Sequence, residues 1–272
     1  MKNVLLLFLF FSFLFSCKTR DDVMRSQERE KELERVEKEK EVGKSAFSKL
    51  SGKYGIFDNK DATEYLNKLG KSLALYTERQ DIEYFFAILN TDQVNAYALP
   101  GGYVLITMGA LKRVENPGEL IGIISHELGH INKKHILNRV KIEVSFNFFE
   151  VLARLIAGPM QIVTNLSNQI NNSIEEALFM KGLDKEDEFE ADNYSINLVQ
   201  SLNLNAGQYM GYLKKLGEEK SDSLKNLDQT HPAISERISK IENILNKDLP
   251  IMRVSENFNK FKKIIQESEL IK

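Results

Sequence analysis

Helical periodicity dominates this chain. From Asp61 to Tyr76, the residues Ala62, Tyr65, Leu66, Leu69, Leu73 and Tyr76 fall three or four apart, which is one face of a helix. The same reading predicts helices at Pro117–His135, Asp184–Leu202, Ala206–Gly217, His231–Leu245 and Glu256–Glu267. Two segments have strand composition instead: Tyr84–Leu89, and Tyr103–Thr107 directly after a Pro-Gly-Gly turn. Together they predict a small antiparallel sheet. Residues 142–166 are strongly apolar, with Phe146, Phe148, Phe149 and Leu152, but Glu143, Glu150 and Arg154 interrupt them. Charges at that density argue against a bilayer span. The stretch reads as a core helix, with a lid over a cleft or a membrane-facing surface as alternatives. Gln161–Ser173, rich in Asn, Gln and Ser, reads as a mobile loop able to gate access.

The amino terminus follows another pattern. After Lys2, residues 4–15 form an unbroken run of twelve apolar or small residues. Such a run is too short for a bilayer span and matches a signal-peptide core, so residues 1–16 read as a signal peptide. Cys17, the one cysteine of the chain, follows at once. Its position resembles a bacterial lipoprotein cleavage site, with Leu14 and Ser16 in acceptable places and Phe15 bulky for its own. Cys17 is therefore the expected lipidation site, and the chain has no internal disulfide to rely on. Residues 17–44 then read as a lipid-anchored spacer. From residue 20 onward it is dense in both signs of charge, with Glu32/Arg35 and Glu34/Lys38 at helical spacing. As a helix it would hold residues 45–272, the expected single domain, up to roughly 35–40 Å from a membrane.

Charge excludes one class of partner. The chain carries 37 basic and 39 acidic residues, and removal of Lys2 with the signal peptide leaves a net charge of −3. The signs are interleaved, so no nucleic acid is expected as a partner.

The chemistry concentrates in residues 126–130, His-Glu-Leu-Gly-His. On a helix, His126 and His130 lie one turn apart on one face, where two imidazoles can bind a single Zn²⁺. Glu127 stands beside the first imidazole, placed to act on the metal's water. This is the layout of the H-E-x-x-H metalloprotease motif. Only four histidines occur, and two of them occupy these positions. Gly129, costly inside a helix by about 1 kcal/mol relative to Ala, points to close packing there. A catalytic zinc takes three protein ligands. With no His between 135 and 231, the third is expected to be a carboxylate from Asp184–Asp192. Glu188 and Asp192 share a face with Ser195 and Val199, whereas Glu186 and Glu190 fall on the wetter side. His135, five residues after His130, reads as structural.

Three further segments carry a wider resemblance: Asn95-Ala-Tyr-Ala-Leu-Pro-Gly-Gly102, Glu188-Phe-Glu-Ala-Asp192, and Thr230-His-Pro followed by Glu236-Arg-Ile238. In this order around the histidine motif, the chain resembles the zinc metallopeptidases that include HtpX, the CaaX prenyl endopeptidases and their small periplasmic relatives. The resemblance covers roughly residues 40–245. It implies His126, His130 and Glu188 as ligands of one zinc per chain, Glu127 as base, and Asp192 as the residue holding a ligand in place. One departure is Lys185, where the family often has Arg; Lys lacks the bidentate fork.

The fold expected is α+β, a mostly helical zincin-like metalloprotease domain with the small antiparallel sheet. The function expected is zinc-dependent hydrolysis of misfolded or unassembled envelope proteins. His231 is expected either to donate to the oxyanion or to gate the metal's fourth position. Asn95, Ala96, Tyr97 and Tyr103 are the expected substrate-binding residues, because an edge strand beside a metal can pair with an extended peptide. The alternative is an envelope assembly factor or chaperone that keeps the zinc fold and cleaves little. The place expected is a bacterial cell envelope, reached through the lipid anchor.

Overall fold

The structure, a computed structural model, describes residues 20–139, 183–224, 227, 231, 233–246 and 248–268. The signal-peptide, Cys17, residue 142–166 and Gln161–Ser173 readings lie outside these residues. The chain divides into two units, residues 1–38 and 39–272. The first helix, α1, is Arg20–Tyr54. In the first unit its residues from 23 to 35 are exposed, and Arg35 pairs with Glu32 at 3.1 Å.

Among its described residues the second unit is mostly helical with one small sheet. Within it run the last turns of α1, then α2 (Lys60–Ala74), β1 (Phe85–Leu89), β2 (Ala96–Leu99), β3 (Tyr103–Thr107), α3 (Met108–Arg113), α4 (Pro117–Asn132) and α5 (His135–Arg139). There follow α6 (Lys185–Ser201), α7 (Gly207–Glu218), α8 (Ile234–Glu242) and α9 (Glu256–Glu267). Among the described residues no helix is long and apolar enough to cross a membrane.

The sheet differs from the expected one. Its order is β1-β3-β2, and Tyr84–Leu89 does not form an antiparallel pair with Tyr103–Thr107: β1 and β3 run parallel, Phe85 opposite Tyr103. The antiparallel partner of β3 is β2, with Ala96 opposite Ile106. The chain leaves β1, crosses to the far edge as β2, and returns to the centre through Pro100-Gly101-Gly102. That return needs its glycines. Gly101 and Gly102 have φ of 73° and 94°, a region costly for residues with a Cβ. A Cβ on Gly102 would also stand 2.2 Å from the Glu83 carbonyl oxygen. From α1, Glu39 accepts from the Gly101 N–H at 3.1 Å and takes the Arg79 guanidinium bidentately at 3.1 and 2.9 Å. The turn at the end of the edge strand is thus fixed by a buried ion pair. Residues 39–44, read from sequence as spacer, therefore belong in part to the body of this unit.

Helix α4 is the axis of the core. Asn116 caps it by accepting from Glu119 N, Pro117 opens it, and every residue from Pro117 to Ile131 is buried. Its glycines admit its neighbours. A Cβ on Gly129 would lie 3.1 Å from Ala191 Cα of α6, and one on Gly122 only 2.2 Å from Tyr209 Cβ of α7. Gly122→Ala is therefore expected to destabilise the fold. Overpacking costs about 1–3 kcal/mol, against at most about 1 kcal/mol regained in helix propensity. A lowered thermal midpoint would show it; an unchanged or raised midpoint would mean α7 yields freely.

Candidate metal centre

Helix α4 presents His126 and His130 toward α6, with their Nε2 atoms 3.0 Å apart and both side chains buried. Helix α6 presents Glu188, fully buried, with Oε2 3.6 Å from His126 Nε2 and Oε1 3.5 Å from His130 Nε2. Tetrahedral ligands at about 2.0–2.1 Å from zinc stand roughly 3.3 Å from one another, so the three spacings suit one ion. Donor chemistry agrees: two imidazoles and a carboxylate are a zinc set. Glu188 Oε1 is buried with no hydrogen-bond partner, an arrangement that costs free energy unless a cation takes it up.

The charges point the same way. Burial and Arg237 oppose a charge on His126, yet Asp192 and Glu188 outweigh them and raise its pKa to about 9. A field that favours an imidazolium also favours a metal cation. Burial lowers His130 well below its ordinary value, which keeps its ring neutral, as a metal ligand must be. Burial works against Glu188 ionising, but His231 and His130 hold it well below the usual carboxylate range.

Behind His126 lies a buried network. Asp192 Oδ1 is 3.0 Å from His126 Nδ1. Arg237 of α8 grips Asp192 with Nε to Oδ2 at 2.8 Å and Nη2 to Oδ1 at 2.7 Å. Tyr209 donates to Asp192 Oδ1 at 3.0 Å and accepts from Arg237 Nη2 at 2.7 Å. Asp192, expected to hold a ligand in place, lies against His126 in this network. The sequence marks neither Arg237 nor Tyr209 for the site, although Arg237 falls in the Glu236-Arg-Ile238 segment.

Glu127 lies on the same helix, 5% exposed, and burial raises its pKa. It lines a small cleft of about 40 Å³ together with Asn95, Ala96, His126, Tyr212, Leu213 and His231. His231 sits across the cluster, Nδ1 2.6 Å from Glu188 Oε2 and Nε2 3.3 Å from Asn95 Oδ1. Of the four expected substrate-binding residues, Asn95 and Ala96 line this cleft. The other two do not reach it. Tyr97 is 3% exposed in the apolar core with Leu50, Leu99 and Leu105. Tyr103 stacks on Phe85 at 5.3 Å in the central strand, which has no free edge. Lys185 reaches Glu236 at 3.0 Å on the surface and takes no part in the cluster.

The sequence signature of peptidase family M48 matches residues 60–245, which include every residue of this cluster. The chain belongs to peptidase family M48. Among its relatives, a β-barrel assembly-enhancing protease of Yersinia pestis is 25% identical over 69% of this chain and 40% of its own length. The metalloproteases YcaL and LoiP of Escherichia coli K12 are 26% and 23% identical, over 75% and 70% of this chain and 74% and 73% of their own lengths. The chain spans less than half the length of the assembly-enhancing proteases it matches. The M48 signature begins at α2 and ends beyond α8, so it takes in the sheet, α4 and the three helices α6, α7 and α8 that supply Glu188, Asp192, Tyr209 and Arg237.

Proposed function

We propose that this protein is a zinc-dependent endopeptidase in which His126, His130 and Glu188 hold the metal and Glu127 is the general base. The observation that carries the reading is the mutual spacing of three buried donors beside a buried carboxylate that opens on a cleft. Zinc bound there supplies a water of pKa about 7 and polarises the scissile carbonyl. Glu127 takes the proton of the attacking water and delivers it to the leaving amine. Its raised pKa makes it a stronger base than an exposed glutamate. Asp192, held by Arg237 and Tyr209, orients the His126 ring.

Asn95 and Ala96 place the start of the edge strand at the cleft. Backbone pairing along β2 would admit extended chains of many sequences, which suits misfolded or unassembled proteins as substrates. The names of the assembly-enhancing relatives support an envelope setting. A cleaved signal at residues 1–16 and a lipid on Cys17 would tether the enzyme there. The test of the metal site is zinc content by elemental analysis. His126→Ala and Glu188→Gln are expected to fall far below the one zinc per chain of the wild type. Full zinc in both would move the site elsewhere.

The position of His231 favours a resting state that is partly closed, because its ring lines the cleft and spans Glu188 and Asn95. A latent enzyme that mainly assists assembly is the second reading. His231→Ala is expected to raise casein cleavage. A fall would instead assign His231 to the oxyanion, and no change would remove both roles.

A further inference from the structure

His130 has two ring nitrogens, and the cluster uses one. The other, Nδ1, is 2.8 Å from Nδ1 of His135. His135 is 2% exposed, and its own Nε2 is 3.2 Å from Glu190 Oε2 and 3.7 Å from Asp187 Oδ1. The proton positions follow from the partners. A carboxylate only accepts, so His135 Nε2 carries a hydrogen and donates to Glu190. In the neutral ring the His135 Nδ1 is then bare and accepts, and His130 Nδ1 is the donor. That leaves His130 Nε2 bare, with its lone pair toward Glu188 and His126. This is the tautomer a metal ligand needs.

The contact depends on a break in the helix. Five residues along a continuous α-helix is about 140° round the axis, so His135 could not face His130 from α4. Helix α4 instead stops at Asn132, Lys133 N bonds to the Gly129 carbonyl, and Lys134 takes a φ of 58°. A left-handed conformation is unfavourable for a residue with a Cβ. It reverses the chain, and the first residue of α5 returns over His130.

We propose that His135 is a positioning residue for the metal: it fixes the tautomer and ring angle of His130, and Glu190 completes the relay at the surface. This rests on the zinc reading above. The two histidines of the motif are thereby oriented by different means, His126 by the Asp192 carboxylate and His130 by a second imidazole.

The test uses the full-length protein. Zinc affinity is measured by competition with a chromophoric chelator, and ligand geometry by the visible bands of the cobalt-substituted form. His135→Phe fills the space but cannot accept; it is expected to bind zinc about 10–100-fold more weakly and to shift the cobalt bands. His135→Gln retains an acceptor and is expected to recover most of the loss. Thermal unfolding of the metal-free form serves as the packing control. Equal losses in the two variants, or wild-type affinity and spectrum in His135→Phe, would overturn the proposal. If His135→Phe does not fold, Glu190→Ala decides, because that side chain is 49% exposed: a few-fold weaker zinc supports the relay, and no change overturns it. A wild type that binds no zinc would instead defeat the metal-site reading itself.

Discussion

Glu127→Gln is expected to lower casein hydrolysis about 10²–10⁴-fold, the usual contribution of a positioned general base, while bound zinc stays at the wild-type level. Glutamine has the same shape, so the buried position keeps its packing, but its amide cannot take a proton from the attacking water. Glu127 is not part of the three-donor cluster, which consists of His126, His130 and Glu188. Its side chain lines the cleft next to that cluster and is 5% exposed. Burial raises its pKa, with His126 and His231 pulling the other way, so its carboxylate is a better base than a solvated one. The separation of activity from metal content is what distinguishes this role. Zinc lost together with activity would make Glu127 a metal-holding residue, and full activity would place the base elsewhere.

Arg237→Met is expected to destabilise the fold by about 3–5 kcal/mol, because it leaves a buried charge without its partner. The Arg237 side chain is 3% exposed and makes two hydrogen bonds to the Asp192 carboxylate and one to Tyr209. Burial opposes the charge on Asp192, and Arg237 is what holds its pKa well below the ordinary carboxylate value. In a domain of this size, each kcal/mol moves the thermal midpoint by roughly 2–4 °C, so the midpoint should fall by roughly 6–20 °C. Replacing both members, Arg237→Met with Asp192→Leu, removes the uncompensated charge and should restore much of that loss. Zinc affinity should fall below that of wild type in the double variant, since His126 Nδ1 then lacks its acceptor. A single variant as stable as wild type would mean that water reaches this network.

The parts of the candidate site that the sequence places on common faces are those set by local period. His126 and His130 are four apart on a helix, and Glu188 and Asp192 fall on the buried face of α6 with Ser195 and Val199, while Glu186 and Glu190 are exposed. What depends on chain reversal or on remote pairing was not legible. The contact of His135 with His130 needs α4 to break before residue 135, and the left-handed Lys134 beyond its end carries no glycine signal. Arg237 sits in a short amphipathic helix between Glu236 and Lys240, where a lone charge looks solvated. Strand β2 is four residues long and lies inside the Asn95–Gly102 motif, too short for a period of its own to mark its pairing with β3 or the parallel placement of β1. Tyr97 and Tyr103 share the edge motif and its following strand with Asn95, but alternation turns Tyr97 into the core, and Tyr103 stacks on Phe85.

The most direct measurement is zinc content by elemental analysis on the purified full-length protein, paired with casein cleavage before and after chelation and after zinc is returned. The account predicts one zinc per chain, cleavage abolished by the chelator, and cleavage restored by zinc. No zinc under metal-replete conditions, or cleavage indifferent to the chelator, would contradict it.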